Sequence, residues 1–411
     1  MTSELGRRIA FTLGALLVYR IGTYIPLPGF NASVWEQIFA THRGGALGLA
    51  NAMSAGAVGR LSIFALGIVP FMTAAVLLQL TMFVSSRMRA LRTGDDRARG
   101  RLVRYTYVLT VVLALMQGLG IGNGLVGVPG LVRDGNDLFV IQTAVTLAAG
   151  AVFVAWLAEQ VTLRGIANGI AVILFTGVVL GLAPAVYGLL ELNRAGFLSG
   201  GHIAIILVVA IAATVFVVFM ELGRRRLMIQ YAARQVGLTD RVAHLSLKLN
   251  NAGIVPALLA SWIAAIPLLV VSVFGITPTG FWASWGNELQ HGRPLFMVVY
   301  AVAIVLCTFI YTALVVDPSQ AAETLGRYGG TIPGVAPGEA TAEHIDDVLT
   351  RTTLLGAVYL AIICIVPELL ISYLQVPFYF GGISLLVVVC TVLDIDTQVR
   401  SESAITVESG G

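Results

Sequence analysis

The chain has 411 residues, of which 57% are hydrophobic and 11% are charged, and its formal net charge is +3. A water-soluble globular protein could not bury so much apolar surface in one core, so the composition excludes that class and indicates a membrane protein. A helix that crosses the roughly 30 Å hydrocarbon layer needs about 20 mostly apolar residues.

Apolar stretches of that kind follow one another along the chain, at residues 9–27, 61–84, 105–126, 138–162, 165–190, 202–223, 252–275, 294–316, 352–374 and 379–399. They predict an all-α polytopic membrane protein with ten transmembrane helices. The residues before the first stretch are basic, as in a signal peptide. That stretch, however, contains Arg20 and leads into Tyr24–Pro28 instead of a small-residue cleavage site, so we expect it to be retained.

Residues 42–60, between the first two spans, are mildly apolar and rich in small side chains, but they are too few and too polar to cross a bilayer. Backbone at membrane depth that is not part of a spanning helix persists only where protein or a water-filled cavity surrounds it. A re-entrant segment beside a cavity and an ordinary external loop are both compatible with these residues.

Two long loops carry patterns of their own. In residues 224–251, apolar residues alternate with polar ones from Ala243 to Asn250, which predicts a β-hairpin. In residues 317–351, a helical stretch follows Asp317, a Gly/Pro-rich turn follows at 329–338, and a second helical stretch starts at Thr341. Two structured loops on one face suggest a docking surface. The polar tail at 400–411 is expected to be disordered.

The loop arginines predict the orientation. If the N-terminus is cytoplasmic, most of the 25 basic residues fall on the cytoplasmic side, as the positive-inside rule requires, and both termini lie there. The same clusters could contact nucleic acid, but no aromatic-rich or helix-turn-helix pattern accompanies them. We therefore expect the lipid bilayer as their partner and no direct nucleic-acid binding.

Motifs of enzymes are missing from the sequence. Residues 122–127 match GxGxxG, but no strand precedes them and Pro129 follows, so a dinucleotide site is not indicated. The five histidines and three cysteines have no metal-ligand spacing, and we expect no enzymatic activity, cofactor or metal. An ion-coupled transporter needs charges near the membrane midplane, whereas Glu159, Glu221 and Asp394 fall near helix ends. This distribution of charges does not exclude a carrier of neutral solutes or a structural scaffold.

Six motifs occur in one order along nearly the whole chain: Tyr19–Gly22 with Ile25–Gly29, Ser62–Ile68 with Pro70, Arg164–Ile170, Asn250–Pro256, Tyr328–Gly330 with Ile332–Gly334, and Val376–Gly382. In this order they resemble the SecY family of protein-translocation channels. The resemblance implies a channel between two pseudo-symmetric five-helix halves, closed by a plug at 42–60 and opening sideways to lipid. The implied function is the central channel-forming subunit of the protein translocase in the bacterial inner membrane. It would conduct unfolded secretory proteins across the membrane and release membrane proteins laterally.

On this basis the chain divides into an N-terminal part at 1–223 (spans 1–5 and the plug, together with span 6), the hairpin loop at 224–251, spans 7–10 with their large loop at 252–399, and the tail. The resemblance assigns a pore ring to Ile68, Met72, Ile170, Leu174, Leu258 and Val387, the plug to Leu47, Leu49, Asn51, Met53 and Ser54, and the lateral gate to Thr73, Gln117 and Asn250. From the residues alone, the ring side chains would be ordinary packing or lipid-facing residues. Their spacing does put Ile68 over Met72, and Ile170 over Leu174, on single helix faces.

Partners follow from the same resemblance. It implies the SecE and SecG subunits, the SecA motor ATPase or the ribosome, and preproteins that carry signal peptides. The cytoplasmic docking residues would be Arg224, Arg225, Arg226, Arg234, Arg241 and Ala336. Ala336 stands where the family usually has an arginine, and the hairpin tip at Gly237–Asp240 is short. A specialised accessory member with restricted clients is therefore the closest alternative, ahead of a neutral-solute secondary transporter.

Overall fold

The computed structural model describes residues 3–41, 51, 54–85, 87–88, 91, 95–132, 135, 137–194, 196, 199–231, 243–250, 252–261, 263–264, 293–374 and 381–409. Its helices are α1 (Ser3–Gly22), α2 (Ala32–Thr41), α3 (Val69–Val84), α4 (Asp96–Val126), α5 (Asp137–Arg164), α6 (Gly169–Arg194), α7 (Gly200–Leu222), α8 (Pro294–Val315), α9 (Pro318–Arg327), α10 (Glu339–Leu374) and α11 (Gly382–Ser409). Its strands are β1 (Arg224–Tyr231), β2 (Ala243–Lys248) and β3 (Gly330–Thr331).

The predicted all-α membrane fold is confirmed. Among the described residues, 7 helices are long and apolar enough to cross a membrane: α4, α5, α6, α7, α8, α10 and α11. The first predicted span corresponds to α1, which carries Arg7, Arg8 and Arg20. The seventh predicted span is described only at its start, where residues 255–261 and 263–264 are helical. Helix length and hydropathy alone therefore do not test the predicted total of ten.

The second span differs from its prediction, because α3 begins only at Val69. Residues 54–68 precede it as a series of turns, which we call the buried segment. Leu61 and Gly67 have φ angles of 44° and 54°, in the left-handed region that interrupts a right-handed helix. Pro70 lies in the first turn of α3, where a missing N–H costs nothing. The apolar run at 61–84 therefore combines irregular backbone with a helix of 16 residues.

The main core lies where α1, the buried segment, α5, α6, α8, α10 and α11 meet. Its large, fully buried side chains include Tyr19, Ile173, Ile304, Leu360 and Leu386. Small residues let neighbouring helices approach closely, as is common in membrane bundles. A Cβ added at Gly118 of α4 would lie 2.7 Å from the Cα of Ala144 in α5. Glycine therefore permits the close approach of α4 and α5.

The two large loops fold together, and we call their union the hairpin body: β1, β2, β3, α9 and the first turns of α10. The predicted hairpin is confirmed, since β1 pairs antiparallel with β2 from Arg224 opposite Lys248 onward. The strand β3 adds to the other edge of β1, giving the order β2-β1-β3. A small apolar core of Ile229, Ala322, Leu325, Ile332 and Ile345 holds these elements together.

Two boundaries in the C-terminal part differ from their predictions. The second helical stretch of the 317–351 loop and the ninth span are one continuous helix, α10, of 36 residues. The predicted disorder of the tail is wrong, because α11 continues to Ser409. Beyond the apolar part of α11, Arg400 pairs with Asp396 at 2.9 Å across one helical turn, and such pairs support a helix exposed to water. The polar composition of the tail therefore reflects a helix that is exposed to water.

Candidate functional site

A cavity of about 500 Å³ opens into the bundle beside the root of the hairpin. Polar and charged side chains line one part of it, among them Gln79, Asn168, Glu221, Lys248 and Asp394. Five of the six predicted ring residues line it too, namely Met72, Ile170, Leu174, Leu258 and Val387. In the part of the chain that the structure describes, no group of three His, Cys, Asp or Glu side chains could hold a metal ion. The cavity is thus lined by polar side chains and by apolar residues of the predicted ring.

The predicted ring residues converge from five places in the chain: Ile68 at the end of the buried segment, α3, α6, the start of the seventh span and α11. Ile68, Leu174, Leu258 and Val387 have exposed fractions of 1%, 3%, 4% and 1% and belong to one apolar cluster, against which Met72 and Ile170 pack. Such a constriction offers an ion nothing in place of its lost hydration water, so it opposes ion passage. A sliding chain, in contrast, could pass while apolar side chains close around it.

The buried segment packs against the same cluster. Ala55, Ala57 and Phe64 are core members together with the buried ring residues. Of the predicted plug residues, Leu47, Leu49 and Met53 lie outside the described residues, whereas Ser54 is 3% exposed. This buried, non-helical backbone favours the re-entrant interpretation over an ordinary external loop.

The remaining predicted plug residue, Asn51, forms hydrogen bonds with the turns that follow it. Its Oδ1 accepts a hydrogen bond from the N–H of Gly59 at 2.6 Å, and its carbonyl oxygen accepts from the N–H of Gly56 at 2.8 Å. The Ser54 hydroxyl lies 3.3 Å from the same Asn51 carbonyl and accepts from the N–H of Val58. Side chains therefore satisfy backbone groups that a helix or sheet would otherwise satisfy.

Two arginines, one on α1 and one within the buried segment itself, bind the backbone of the segment, and we call this arrangement the Ala55 latch. Arg20 of α1 and Arg60 both donate to the carbonyl oxygen of Ala55 at 2.9 Å. Their guanidinium carbons lie 4.7 Å and 4.2 Å from the centre of the Tyr24 ring. Arg60 also donates to the Thr23 carbonyl at 3.0 Å. Burial lowers the pKa of Arg60, so these contacts replace hydration that the guanidinium has lost.

The three predicted gate residues are not joined by hydrogen bonds. Thr73 donates to the carbonyl of Val69 within α3 at 3.0 Å, and Gln117 is half-buried on α4. Asn250 donates to the carboxylate of Glu221 at 2.8 Å. Their shared role at a lateral gate stays a prediction.

Among the predicted docking residues, Arg224 and Arg225 are exposed on β1, and Arg226 pairs with Ser246 in the strand ladder. Ala336 is exposed in the turn before α10, where its carbonyl accepts from the Thr341 hydroxyl at 2.8 Å. Arg234 and Arg241 lie outside the described residues. Arg224, Arg225 and Ala336 are therefore exposed, and a substitution at Ala336 would meet solvent.

Sequence reasoning missed the fixed loop between α5 and α6. Its Ile166 N–H donates to the Thr12 hydroxyl of α1 at 3.0 Å, and its Ala167 N–H donates to the side-chain Oε1 of Gln398 in α11 at 2.6 Å. Ala167 has a φ of 60°, which these two contacts help to hold. The loop thus joins the first helix to the last, a link that no local pattern could have indicated.

Comparisons with known proteins agree with this geometry. The family model described as SecY matches residues 62–395. The protein translocase subunit SecY of Escherichia coli K12 is 42% identical over 408 residues, which cover 97% of this chain and 91% of that protein. The protein of the same description from Vibrio cholerae is 40% identical over 407 residues, covering 97% and 92%.

Solved structures show the same fold at lower identity. A structure described as a protein-conducting channel has a TM-score of 0.69 at 18% identity and covers 98% of this chain and 94% of that one. Sec61 in the canine ribosome–channel complex has a TM-score of 0.64 at 17% identity, with coverage of 98% and 94%. The family match and the extent of the curated identity together confirm the resemblance read from the motifs, and the chain belongs to the SecY family.

Proposed function

We propose that this chain is the central channel-forming subunit of a protein translocase. It passes unfolded secretory proteins through the bundle and releases apolar segments sideways into lipid. The observation that carries the proposal is that one cavity borders both polar side chains and the predicted ring. Five of the six predicted ring residues line that cavity, and the buried segment belongs to the same apolar cluster as the ring.

The constriction and the buried segment divide the sealing task. The apolar side chains of the ring exclude ions while a polypeptide slides through, because they make no specific polar contact with it. The buried segment fills the path when no substrate is present, and the Ala55 latch holds it there. Translocation then requires the segment to leave, so the latch must be strong enough to seal and weak enough to break.

The proposed setting is the bacterial inner membrane, with both termini and the hairpin body in the cytoplasm. The exposed arginines of β1 and the run of arginines at the start of α4 support this orientation. SecE and SecG subunits would complete the complex, and SecA or the ribosome would dock on the hairpin body. Preproteins with signal peptides would be the substrates, and no nucleic-acid contact is required.

The alternatives are a specialised accessory channel and a neutral-solute transporter, and the relatives at 40–42% identity favour neither. The exposed Ala336 still bears on which partner docks. We therefore propose a general channel whose docking surface tolerates the missing arginine.

The test is depletion of a cell's principal SecY while this chain is supplied in trans, with export of a signal-peptide reporter as the measurement. Variants Ala336→Arg and Ala340→Arg are run alongside, the second being a matched exposed control on α10. Export by the unmodified chain supports a general channel. Rescue by Ala336→Arg alone indicates a competent pore with a retuned docking surface. No export by any inserted variant rejects the general-channel proposal.

A further inference from the structure

The two ends of the hairpin are clamped to each other by side chains. Glu221 lies near the end of α7, just before β1, and Asn250 lies just after β2. The Asn250 amide donates to Glu221 Oε1 at 2.8 Å. Beside this contact, the Leu249 N–H donates to the Gly223 carbonyl at 3.0 Å. The root of the hairpin is therefore closed by a side-chain pair and a backbone pair together.

The same carboxylate also binds a helix of the bundle. The Tyr359 hydroxyl of α10 donates to Glu221 Oε1 at 3.3 Å, and Cys390 of α11 lines the cavity together with Glu221. The Tyr359 ring meets Phe216 of α7 edge-on at 5.8 Å. Elements far apart in sequence thus converge on one side chain: α7, α10 and the chain leaving β2.

Packing allows this convergence only because one position on α10 is a glycine. A Cβ added at Gly356 would lie 2.9 Å from the carbonyl oxygen of Leu249. The chain leaving the hairpin therefore lies directly on α10, one helical turn before Tyr359. The root is fixed against the wall of the bundle as well as against itself.

Helix electrostatics alone would not select a carboxylate here. The C-terminal end of a helix carries partial negative charge, which disfavours Glu221 at the end of α7. Its acceptor oxygen instead serves the side chains of Asn250 and Tyr359, which are 4% and 2% exposed. Buried donors need such a partner. A residue that opposes its local preference yet completes a buried network is typical of a functional position.

The clamp also continues into the channel. Asn250 Oδ1 accepts from the Gly253 N–H at 3.0 Å, which starts the turn that leads to helical residues 255–261 and to Leu258 of the ring. Glu221 and Asn250 line the polar part of the cavity. The hydrogen bond between Asn250 and Gly253 thus connects the root of the hairpin to the start of the seventh span, which carries Leu258.

We propose that Glu221 is a positioning residue that fixes the hairpin body on the channel wall and couples a contact on that body to the ring at Leu258. The inference rests on the proposed function, because it assigns the hairpin body as the place where a partner pushes. Loss of the acceptor frees the root of the hairpin, so a partner's contact no longer reaches the seventh span.

The first experiment measures the hairpin's position directly. Spin labels on unnatural amino acids at the exposed positions Arg225 of β1 and Leu163 of α5 report their distance distribution in the purified complex in nanodiscs. We expect Glu221→Ala and Asn250→Ala to broaden the distribution equally, and the double variant to broaden it no further. Glu221→Gln keeps an acceptor oxygen and should retain the narrow distribution, as should the exposed control Glu339→Ala. An unchanged distribution in Glu221→Ala overturns the proposal.

The second experiment measures the coupling as the ratio of channel conductance with and without the docked motor ATPase. Glu221→Ala should lower this ratio at least about fivefold, the lower end of coupling between linked sites, while Glu221→Gln and Tyr359→Phe fall between it and the unmodified chain. A ratio equal to that of the unmodified chain overturns the coupling. If the unmodified complex exports no reporter, the proposed function fails, and the label distances still decide the positioning role.

Discussion

Arg20 and Arg60 share one acceptor, because both guanidinium groups donate to the carbonyl oxygen of Ala55 at 2.9 Å. Ala55 has a φ of 55°, so its carbonyl points out of any regular ladder and is open to side-chain donors. The shared acceptor ties the end of α1 to the buried segment. We expect this tie to decide how well the resting channel is sealed.

Replacing either arginine should therefore make the resting channel leak. A hydrogen bond from a charged donor contributes about 1.5–3 kcal/mol, so its loss should raise the open fraction roughly 10- to 100-fold if the latch exists only in the sealed state. Single-channel conductance of Arg20→Ala in planar bilayers, without substrate, measures this. The exposed Arg194→Ala serves as control. Equal leakage by both variants, or by neither, would contradict the latch.

A polar ring residue should open a path for ions. Leu174 is 3% exposed within the apolar cluster, and Leu174→Ser would give water and ions a hydroxyl partner there. We expect higher conductance from this variant and near-normal sealing from Leu174→Met, which conserves volume and apolarity. Leu207→Ser is the matched control, since Leu207 is 61% exposed on α7. Equal conductance of the Leu174→Ser and Leu207→Ser variants would rule out Leu174 as part of the seal.

Glycine at 169 should be irreplaceable, unlike Gly188 in the same helix. A Cβ at Gly169 would run into the carbonyl oxygen of Ala158, whereas nothing lies within 4 Å of a Cβ at Gly188. Gly169→Ala should therefore reduce the yield and thermal stability of the folded complex. Gly188→Ala should be neutral or stabilising by about 0.5–1 kcal/mol because alanine favours a helix. Thermal unfolding of the two variants side by side checks this, and equal effects would refute the close approach.

Loss of the cap on α9 should loosen the hairpin body locally. Asp317 Oδ1 accepts from the N–H groups of Ser319 at 3.0 Å and Gln320 at 3.3 Å. Asp317→Ala should cost about 0.5–2 kcal/mol of local stability, while Asp317→Asn should retain most of it. Hydrogen exchange of the α9 amides is the measurement. Protection that is unchanged in Asp317→Ala would show that packing on Leu325 alone holds the helix.

Local patterns predicted the parts of the fold that local physics determines. The alternation from Ala243 predicted the hairpin, and Asp317 before Pro318 predicted the start of α9, because strand pleat and helix capping act over a few residues. The membrane spans followed from hydropathy for the same reason. The resemblance assigned six residues to a pore ring, and the structure brings them into contact with one apolar cluster, while their role as a ring stays a prediction.

Other features could not be predicted from the sequence. Some depend on contacts between residues that are far apart in the chain, and others were predicted from apolar or polar composition alone, which does not determine the local backbone. Tyr359 and Glu221 are 138 residues apart, so nothing in either neighbourhood indicated their hydrogen bond. The start of α3 was misplaced because the left-handed turns at Leu61 and Gly67 lie inside an apolar run that reads as helix. Arg20 lies within the first apolar stretch, and nothing near it in sequence indicated that its side chain binds the carbonyl of Ala55. The tail was expected to be disordered because polarity alone does not separate a solvated helix from a coil.

The continuity of α10 gives the molecule a mechanical property. Its 36 residues form a rod about 54 Å long. One end is embedded in the hairpin body through Ile345, and Ile363 and Cys364 lie in the main core. A tilt of about 5° at the solvent end would shift the far end by about 5 Å if the rod stayed rigid. Pro367 removes one backbone hydrogen bond close to that far end, so the helix can bend there. The last turns of α10 then need not move by the full displacement. The helix can therefore transmit a tilt of its solvent end to the main core, while its last turns after Pro367 bend independently.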